Sequence, residues 1–499
     1  MNAGRESDGR VVPTKPANNG ETESPAESVE GRRPARRNTV QPNLVRTQTP
    51  ERRRSSGLHG VREAARKDRS LKFTALLHHI SPELLTSSFK DLRKNAAPGV
   101  DGQTWHEYEQ DLENRIDDLH GRIHRGAFRA KPSKRVYIEK TDGRKRPLGI
   151  PSLEDKIVQH AVRAVLQCIY EEDFLGFSYG FRPHRSQHQA LDALYVGITE
   201  KRVNWILDAD IEGFFDNIDR DWLVRFIEHR VGDKRIVRLI LKWLNAGIIE
   251  GTQWSDNGSG TPQGAVLSPL LANIFLHYVF DLWIDWWRKH HARGHCIVVR
   301  YADDFVIGFE HQSDAQACLE ALHGRFSMFG LRLHPQKTRL IEFGRRASDR
   351  HRQQGTGKCE TFDFLGFTHI CARTRKSDRF VIRRLTMASR MRRTLHRIGE
   401  ELRRHRHRSV GETGRWLASV VRGWQAYHGV PLNFSRLQQF REAIFHLWLG
   451  QLRRRSQKGG QSWTHERMGR LTRKHLPPPK ITHPWPSTRH HARLRARAV

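Results

Sequence analysis

The sequence predicts an α+β protein in which a small sheet carries the chemistry and a basic, mostly helical region follows it. Two short runs of β-branched and aromatic residues, Ile297-Val298-Val299 and Phe305-Val306-Ile307, are typical of strands. Apolar residues recur at helical spacing from Glu154 to Tyr170, and an amphipathic segment runs from Ser268 to near Trp287. Beyond Phe380 the pattern becomes helical and rich in arginine. This order of helices and strands indicates an α+β fold.

Charge is the strongest compositional feature. The 499 residues carry a formal net charge of +33, and the pI is near 10.7, so the natural partner is a polyanion, with nucleic acid as the leading candidate. Residues 381–499 contain 27 Lys and Arg but only five Asp and Glu. The difference between these two numbers is about two thirds of the net positive charge of the whole chain. Binding and chemistry are therefore expected on different parts of the chain.

Two classes of protein are not expected. The longest apolar stretch, Ala265 to Trp287, contains Asp281 and Asp285, which a bilayer-spanning helix would not tolerate, and the N-terminus has no hydrophobic signal core. The five cysteines are scattered without a C-x-x-C pair, so neither a disulfide framework nor a zinc ribbon is indicated. A reducing cytosol fits this pattern.

The N-terminal half begins with an arm and then becomes globular. The first 60 residues have almost no aromatic side chains, and we expect residues 1–70 to form a disordered basic arm. Val136-Tyr137-Ile138 and Leu148-Gly149-Ile150 flank Asp142-Gly143, a hairpin signal. Farther along, Ser268-Pro269 predicts an N-cap followed by proline at the first helical position.

The two runs at 297–299 and 305–307 enclose Tyr301-Ala302-Asp303-Asp304. Asp is disfavoured inside strands, so the two acids are expected at the tip of a hairpin. Like charges this close repel unless a cation neutralises them, and carboxylate oxygens suit Mg²⁺. A solvated turn is the alternative interpretation.

A second acidic segment, Asp208-Ala209-Asp210, follows the strand-like run Trp205-Ile206-Leu207. Strand alternation places Asp208 and Asp210 on the same face, so geometry alone does not choose between them. Phosphoryl transfer by two metal ions needs carboxylates from separate strands. Asp210 together with Asp303 would satisfy this requirement.

Seven motifs follow one another along the chain. They are Ala97-Pro98-Gly99-Val100-Asp101-Gly102, Arg146-Pro147-Leu148-Gly149-Ile150-Pro151, Tyr179-Gly180-Phe181-Arg182-Pro183, Asp210-Ile211-Glu212-Gly213-Phe214-Phe215-Asp216, Thr261-Pro262-Gln263-Gly264-Ala265-Val266-Leu267-Ser268-Pro269, Tyr301-Ala302-Asp303-Asp304 and Phe364-Leu365-Gly366-Phe367. In this order they make the chain resemble, over about residues 75–490, the reverse transcriptase/maturases encoded by bacterial group II introns, also called LtrA-like proteins. Many relatives end in a cysteine-bearing DNA endonuclease domain, but no such metal-ligand pattern follows Ser456. Second-strand cleavage is therefore not expected.

The resemblance implies a right-hand polymerase. Fingers and palm would occupy residues 71–370, a helical thumb or maturase domain X residues 371–455, and a basic nucleic-acid-binding tail residues 456–499. It implies an RNA-directed DNA polymerase that uses two Mg²⁺ ions, dNTPs and an RNA template with a DNA primer. It also implies binding to the parent group II intron RNA and to target DNA, to promote splicing and retrohoming, in the bacterial cytosol or nucleoid without a membrane. The oligomeric state stays open.

The resemblance also assigns roles in the site. Asp210, Asp303 and Asp304 would be the catalytic and metal-binding acids, and the Ile211 carbonyl a further ligand. The family has isoleucine directly after its metal ligand, which favours Asp210 over Asp208 for this role.

Four residues would contact the incoming nucleotide. Lys140 and Arg146 would reach its triphosphate, Phe215 would pack under its sugar and crowd a 2′-hydroxyl, and Gln263 would lie near its 3′-hydroxyl. The alternative for the two cations is a pair of solvated hairpin charges. If Phe214 and Phe215 point to opposite faces of a strand, one of them is core.

Nucleic-acid contacts are implied for basic residues farther along. Lys337 would lie near the primer end, and Gly366 allows close approach of the primer, although a core strand explains Phe364-Leu365-Gly366-Phe367 nearly as well. The aromatic residues of the basic third are more often core than base-stacking platforms. Its dense arginine clusters favour structured RNA as a partner. These clusters include Arg403, Arg404, Arg453, Arg454 and Arg455.

Two alternatives to the intron-encoded enzyme stay open. One is an RNA-binding splicing factor without polymerase activity, although a dead core has no need of clustered like charges. The other is a domesticated group II-like enzyme in phage defence or beside a CRISPR system. Ribozyme sequence on both sides of the coding region would distinguish an intron protein from a domesticated one.

Overall fold

The computed structural model describes residues 55–139, 145–250, 253–255, 260–261, 264–355, 357–456, 462–490 and 492. Helices combine in these residues with sheets whose strands pair mainly antiparallel, the β1–β4 pair being parallel, which is an α+β fold. In chain order the α-helices are α1 (Ser55–Lys67), α2 (Pro82–Asp91), α3 (Trp105–Glu109), α4 (Leu112–His124), α5 (Leu153–Asp173), α6 (Gln187–Glu200), α7 (Arg220–Arg230), α8 (Lys234–Leu244), α9 (Ser268–Leu276), α10 (Leu282–His290), α11 (Gln312–Ser327), α12 (Arg345–Gln354), α13 (Ala388–Arg404), α14 (Val410–His428), α15 (Phe434–Arg453) and α16 (His465–His475).

Three sheets are present within the same residues. Their strands are β1 (Ser133–Glu139), β2 (Lys145–Ile150), β3 (Trp205–Ala209), β4 (Ile248–Glu250), β5 (Gln253–Ser255), β6 (Cys296–Tyr301), β7 (Asp304–Phe309), β8 (Arg339–Glu342), β9 (Phe362–Phe364), β10 (Phe367–Arg373) and β11 (Phe380–Thr386). The strand orders are β2-β1-β4-β5, β6-β7-β3-β8 and β11-β10-β9.

The start of the chain differs from the sequence-based expectation. Of the arm predicted over residues 1–70, residues 1–54 lie outside the described part, but Ser55–Lys67 form helix α1. Val61 and Ala65 of this helix are buried, and α1 packs against α5. The prediction of disorder was therefore wrong for residues 55–67. A short apolar stripe orders this helix against the core, and the polar composition of the whole segment gave no sign of that stripe.

The hairpin predicted around Asp142-Gly143 has its two strands. β1 and β2 pair antiparallel, with Val136 opposite Leu148, and β1 also pairs in parallel with β4. The turn itself lies outside the described residues. This small sheet precedes α5, whose N-cap Ser152 accepts a hydrogen bond from the Asp155 amide.

The segment from Ser268 to Trp287 is helical but not one regular α-helix. It consists of α9, a π-helical turn at His277–Asp281 and α10. Ser268 is the first helical residue and Leu267 the N-cap, so the predicted N-cap was one residue too late. Widened turns of this kind often mark functional positions. Here the turn ends at Asp281, a fully buried acid.

The C-terminal region forms a separate apolar cluster from the buried faces of its helices. Strand β10 crosses the boundary predicted between residues 370 and 371, and it pairs with both β9 and β11. A three-stranded sheet therefore connects the region around β6 and β7 to the helices that follow.

The described part of the tail predicted over residues 456–499 does not extend away from the fold. Gln425 Nε2 donates to the Pro478 carbonyl at 2.8 Å, and Thr482 N donates to the Gly429 carbonyl at 2.8 Å. Arg489 forms an ion pair with Asp192 of α6. Residues 476–490 thus join α14 to α6. No helix in the described ranges is long and apolar enough to cross a membrane.

Candidate active site

Strands β6 and β7 form the predicted hairpin. Tyr301 pairs with Asp304, and Ala302 and Asp303 make the turn between them. Ala302 has φ +59°, in the left-handed region. The turn carries Asp303, and Asp304 is the first residue of β7, so the two adjacent acids lie at the same end of the sheet.

A buried arginine, Arg300, holds this turn in place through hydrogen bonds. Arg300, which has no exposed surface, pairs with Asp281 through Nε at 2.6 Å and Nη2 at 2.5 Å. Its Nη1 donates to the Ala302 carbonyl at 2.8 Å and to Asn273 Oδ1 at 3.0 Å. Its Nη2 also donates to Ser178 Oγ at 2.7 Å. Arg300 therefore joins the hairpin, the π-helical turn and α9.

Sequence reasoning missed Arg300. The signal was present, because an arginine inside the apolar run Cys296–Tyr301 is rarely fully buried unless it is paired. No pattern along the chain identifies Asp281 as the partner, since the two residues are brought together only by packing.

The Tyr179-Gly180-Phe181-Arg182-Pro183 motif lies against the same hairpin. Ser178 forms a parallel bridge with Arg300, and Asn273 Nδ2 donates to the Gly180 carbonyl at 2.7 Å. A Cβ atom at Gly180 would lie 2.2 Å from the Ala302 amide nitrogen. Only glycine permits this approach, so the motif helps to fix the position of the hairpin turn.

Asp210 follows β3, which pairs with β7, so it lies at the same end of the sheet as the hairpin acids. Its Oδ2 accepts a hydrogen bond from Lys337 Nζ at 2.6 Å. Asp208 instead faces Arg339, with Oδ2 3.5 Å from Nη2. The two acids that strand alternation could not distinguish thus have different cationic partners.

The backbone beyond Asp210 is held by the segment before Lys337. Ile211 bridges Leu333, with the His334 amide donating to the Asp210 carbonyl at 2.8 Å and the Glu212 amide to the Arg332 carbonyl at 2.9 Å. These two hydrogen bonds flank Ile211, so the bridge does not use its carbonyl oxygen.

The carboxylates of the site repel one another. Desolvation by the surrounding protein raises the pKa of Asp304 to about 7, and Asp303, Asp210 and Asp208 add to this, although the carboxylate still reaches solvent. Burial raises the pKa of Asp208 to about 6, which Arg339 partly opposes. A site that disfavours its own negative charges attracts a cation.

The fit to metal ions follows from this donor set. In the described part of the chain, no three His, Cys, Asp or Glu side chains are close enough to form a ready metal cage. The oxygen ligands and the excess of negative charge nevertheless suit Mg²⁺, which is usually held by one or two carboxylates plus substrate phosphates.

The nucleotide-binding candidates are described to different extents. Phe215 is half-buried in a 3₁₀ turn, Phe214–Asp216, and Phe214 is buried in the core. The two rings therefore do not alternate along a strand as expected, although one of them is core. Arg146 lies in β2 opposite Ile138, but its side chain lies outside the description, as do Lys140 and Gln263.

Comparison with known proteins agrees with this geometry. Residues 138–369 match the family model described as reverse transcriptase (RNA-dependent DNA polymerase). Protein YkfC of Escherichia coli is 33% identical over 313 residues, which cover 55% of this chain and 81% of YkfC.

The chain belongs to the reverse transcriptase family. The group II intron-encoded protein LtrA of Lactococcus lactis is 39% identical over 207 residues, or 41% of this chain. An uncharacterised 91 kDa protein in the cob intron of Schizosaccharomyces pombe is 41% identical over 162 residues, or 32% of this chain. The matches span 34% and 20% of these two relatives.

The basic candidates of this reverse transcriptase have different environments. Arg403 and Arg404 are exposed at the end of α13, where Arg404 pairs with Glu401 at 2.9 Å. Arg454 is also exposed. In contrast, Arg453 Nε donates to the Trp463 carbonyl at 3.0 Å, and Arg455 Nη2 donates to the Arg408 carbonyl at 2.8 Å.

Phe364-Leu365-Gly366-Phe367 forms the turn between β9 and β10 in the reverse transcriptase. Leu365 and Gly366 have φ +48° and +81°, while Phe364 and Phe367 are buried. Tyr427 of α14 donates its hydroxyl to the Leu365 carbonyl at 2.7 Å. Gly366 is buried as well, and a Cβ atom there would lie 2.1 Å from Arg390 Nη1. The motif is therefore a packed turn on core strands, which favours the core interpretation over an open approach for the primer.

Proposed function

We propose that this reverse transcriptase copies RNA into DNA by extending a DNA primer with dNTPs. The observation that carries the proposal is the convergence of Asp210, Asp303 and Asp304 at one end of the sheet β6-β7-β3-β8. Desolvation and the mutual repulsion of these acids raise the pKa of Asp304. This repulsion has no benefit for folding and suits a site that receives cations.

The roles of the residues follow from their positions. Asp210 and Asp303 would hold two Mg²⁺ ions, with Asp304 and the Ile211 carbonyl as further oxygen donors. Such a pair of ions, when bound, activates the attacking primer hydroxyl and stabilises the leaving pyrophosphate. Arg300 fixes the turn that presents Asp303, so that little reorganisation is needed when substrate binds.

The nucleotide would approach from the β3 side of the carboxylates. Phe215 follows Asp210 by five residues and keeps part of its ring exposed, so it can pack under the sugar. Lys140 and Arg146 would reach the triphosphate from the ends of β1 and β2, and Gln263 would lie near the 3′-hydroxyl. A flat ring under the sugar favours deoxynucleotides because it crowds a 2′-hydroxyl.

The domain arrangement belongs to the same proposal. Fingers and palm would extend to the sheet β11-β10-β9, which joins them to a thumb or maturase domain formed by α13 to α15. Helix α16 and residues 476–490 would complete that domain rather than form a free tail, because they pack on α14.

We also propose that the basic C-terminal region binds the parent group II intron RNA and assists splicing and retrohoming into target DNA. Its exposed arginines offer more cationic surface than a primer and template need. The names of relatives, which include an intron-encoded protein and a nuclear intron maturase, support this assignment.

Primer extension tests the polymerase. A DNA primer on an RNA template is incubated with dNTPs and Mg²⁺, and the wild type is compared with Asp303→Asn. Loss of a metal-holding carboxylate should slow extension at least about a hundredfold, because metal stabilisation of transition-state charge amounts to several kcal/mol. Asp221→Asn, which changes an exposed acid at the start of α7, is the matched control.

The two proposed functions separate in one further measurement. Asp303→Asn should bind intron RNA as the wild type does. The change lies in the β6–β7 turn, far along the chain from the basic helices, and leaves their positive charges in place. Equal loss of extension and RNA binding would contradict the division between them. RNA binding without any extension by the wild type would favour a splicing factor that lacks polymerase activity.

A further inference from the structure

Phe181 is an exposed aromatic residue next to the catalytic hairpin. Its side chain is 49% exposed, and its ring centroid lies 6.4 Å from that of Tyr301, with 43° between the planes. Its φ is +58°, in the left-handed region that a residue with a Cβ atom rarely adopts. Exposure of an apolar ring and an unfavourable backbone both oppose folding, and such features concentrate at functional sites.

The residues on both sides force this conformation. Gly180 packs against the Ala302 amide too closely for any side chain. The Arg182 guanidinium is buried and donates to Glu171 at 2.8 Å and to the carbonyls of Leu175 and Ser178, both at 2.7 Å. With its neighbours fixed inward, Phe181 is held facing outward.

The position of Phe181 relative to the carboxylates is also defined. Its segment runs along the free edge of β6, through the Ser178–Arg300 bridge, and β6 is the outer strand of β6-β7-β3-β8. Phe215 follows β3, and Lys337 precedes β8. Phe181 therefore lies on the opposite side of Asp304 from the proposed nucleotide-binding residues.

The same side of the sheet carries the β9–β10 turn. Tyr301, Leu365 and Tyr427 pack against one apolar cluster, and Tyr427 holds the Leu365 carbonyl. Tyr301 therefore packs on the same apolar cluster as the β9–β10 turn, and the ring of Phe181 lies beside it.

We propose that Phe181 and Tyr301 form an aromatic face against which the 3′-terminal nucleoside of the primer packs. This rests on the proposed function, since it deepens the description of the same site. The face carries no charge, so it would recognise the sugar and base rather than the phosphates and would be indifferent to sequence, as stacking on aromatic side chains is. Phe181 would act as a positioning residue that keeps the 3′-hydroxyl beside Asp303.

The test uses the full chain and a DNA primer annealed to RNA. Primer–template affinity is measured by fluorescence anisotropy at elevated salt, where phosphate contacts contribute less. Phe181→Ala and Phe181→Leu should weaken binding about five- to tenfold, as expected for loss of one aromatic–base contact, while the KM for dNTP changes less than about twofold. Trp286→Ala is the control, because Trp286 is 46% exposed and its neighbour Trp287 packs on Phe309, at the opposite end of β7.

A spectroscopic probe reports on position. With 2-aminopurine at the primer 3′ end, the wild type should change the fluorescence on binding, and Phe181→Leu should lose most of that change. The same base five nucleotides upstream should respond equally in both proteins. A 3′-end fluorescence change in Phe181→Leu as large as that of the wild type, or a rise in the KM for dNTP without loss of duplex affinity, would overturn the proposal.

Stability separates this role from a structural one. Phe181→Gly relieves the left-handed backbone and removes the exposed ring, so its Tm should equal or exceed that of the wild type while 3′-end binding is lost. A fall in Tm would show that the ring supports the fold instead. If the wild type binds the primer end through Phe181 but does not extend it, the polymerase proposal fails alone; extension that is indifferent to Phe181 contradicts this inference alone.

Discussion

The ammonium group of Lys337 lies 2.6 Å from Oδ2 of Asp210, next to the carboxylate that we propose as a ligand for Mg²⁺. The lysine side chain is 54% exposed and that of the acid 26%. Asp208, two residues earlier, is paired with Arg339 instead. A cation from the protein thus offsets charge at Asp210 and would compete with a bound metal ion for the same oxygen.

Removing this competitor should strengthen metal binding. We expect Lys337→Met to bind Mn²⁺, used as a probe for Mg²⁺, about two- to fivefold more tightly in the absence of nucleic acid, the range that an exposed ion pair of less than about 1 kcal/mol allows. Titration followed by electron paramagnetic resonance measures this. Arg339→Met, which removes the partner of Asp208, is the control, and weaker binding by Lys337→Met would contradict the competition.

The buried pair of Arg300 and Asp281 should be essential to both stability and activity. Arg300→Met leaves Asp281 buried without its partner, so we expect the free energy of unfolding in urea to fall by about 3–5 kcal/mol. Adding Asp281→Leu removes the uncompensated charge and should restore most of that stability. Extension should stay low in the double variant, because the Ala302 carbonyl still lacks its donor.

The comparison between the single and double variants separates the two effects. Full extension by a restored double variant would show that Arg300 is needed only for folding. Low extension by a stable double variant would show that its hydrogen bond to the catalytic turn matters for the reaction.

The arginines proposed to bind RNA should differ in effect according to whether they are exposed or bound to a backbone carbonyl. The combined change Arg403→Gln, Arg404→Gln and Arg454→Gln removes exposed charge and should weaken intron RNA binding. It should also reduce the slope of log affinity against log salt by about two to three, since each phosphate contact contributes about 0.7–0.9.

Arg453→Gln and Arg455→Gln form the matched comparison. Each removes a charged donor from a backbone carbonyl, so the free energy of unfolding should fall by about 1–3 kcal/mol per residue. The salt slope should change less than in the first set. Identical effects of both sets on RNA binding and stability would contradict this division.

Buried histidines should make the protein sensitive to acid. Burial lowers the pKa of His277 and of His369 to about 3, and the unfolded value is near 6.5. The unfolded state then binds protons that the folded state does not, so this contribution to stability is present above pH 6.5 and is lost as the pH falls toward 3.

The expected size is about 1.4 kcal/mol per pH unit for each histidine below about pH 6. Urea unfolding at pH 7 and pH 5 measures it. His369→Leu keeps the contact with Phe362, on which the ring stacks at 4.6 Å, and should reduce the loss between the two pH values by about 1–2 kcal/mol. A substitution at the exposed His323 is the control, and an unchanged pH dependence in His369→Leu would contradict the prediction.

Several elements could be predicted because short-range patterns determine them. The hairpin of β6 and β7 follows from β-branched runs on both sides of two acids, and α5 from apolar residues at helical spacing. The strands β1 and β2 follow from a turn signal between two apolar runs. Errors occurred where a local signal was weak, as in α1, whose apolar stripe is short, and at Phe214–Asp216, where a 3₁₀ turn replaces the expected strand.

The contacts between residues of the candidate site could not be predicted from the sequence, because they depend on tertiary packing. The sequence by itself determined the family and the basic C-terminal third and singled out Asp210, Asp303 and Asp304 as candidate acids, because these depend on residue types in a fixed order. The tertiary structure alone decided that Arg300 holds the turn of the β6–β7 hairpin, that Lys337 pairs with Asp210 and that Phe181 faces outward beside Tyr301. These relationships join residues up to 127 positions apart, and no periodicity or spacing along a chain records which distant side chains will meet.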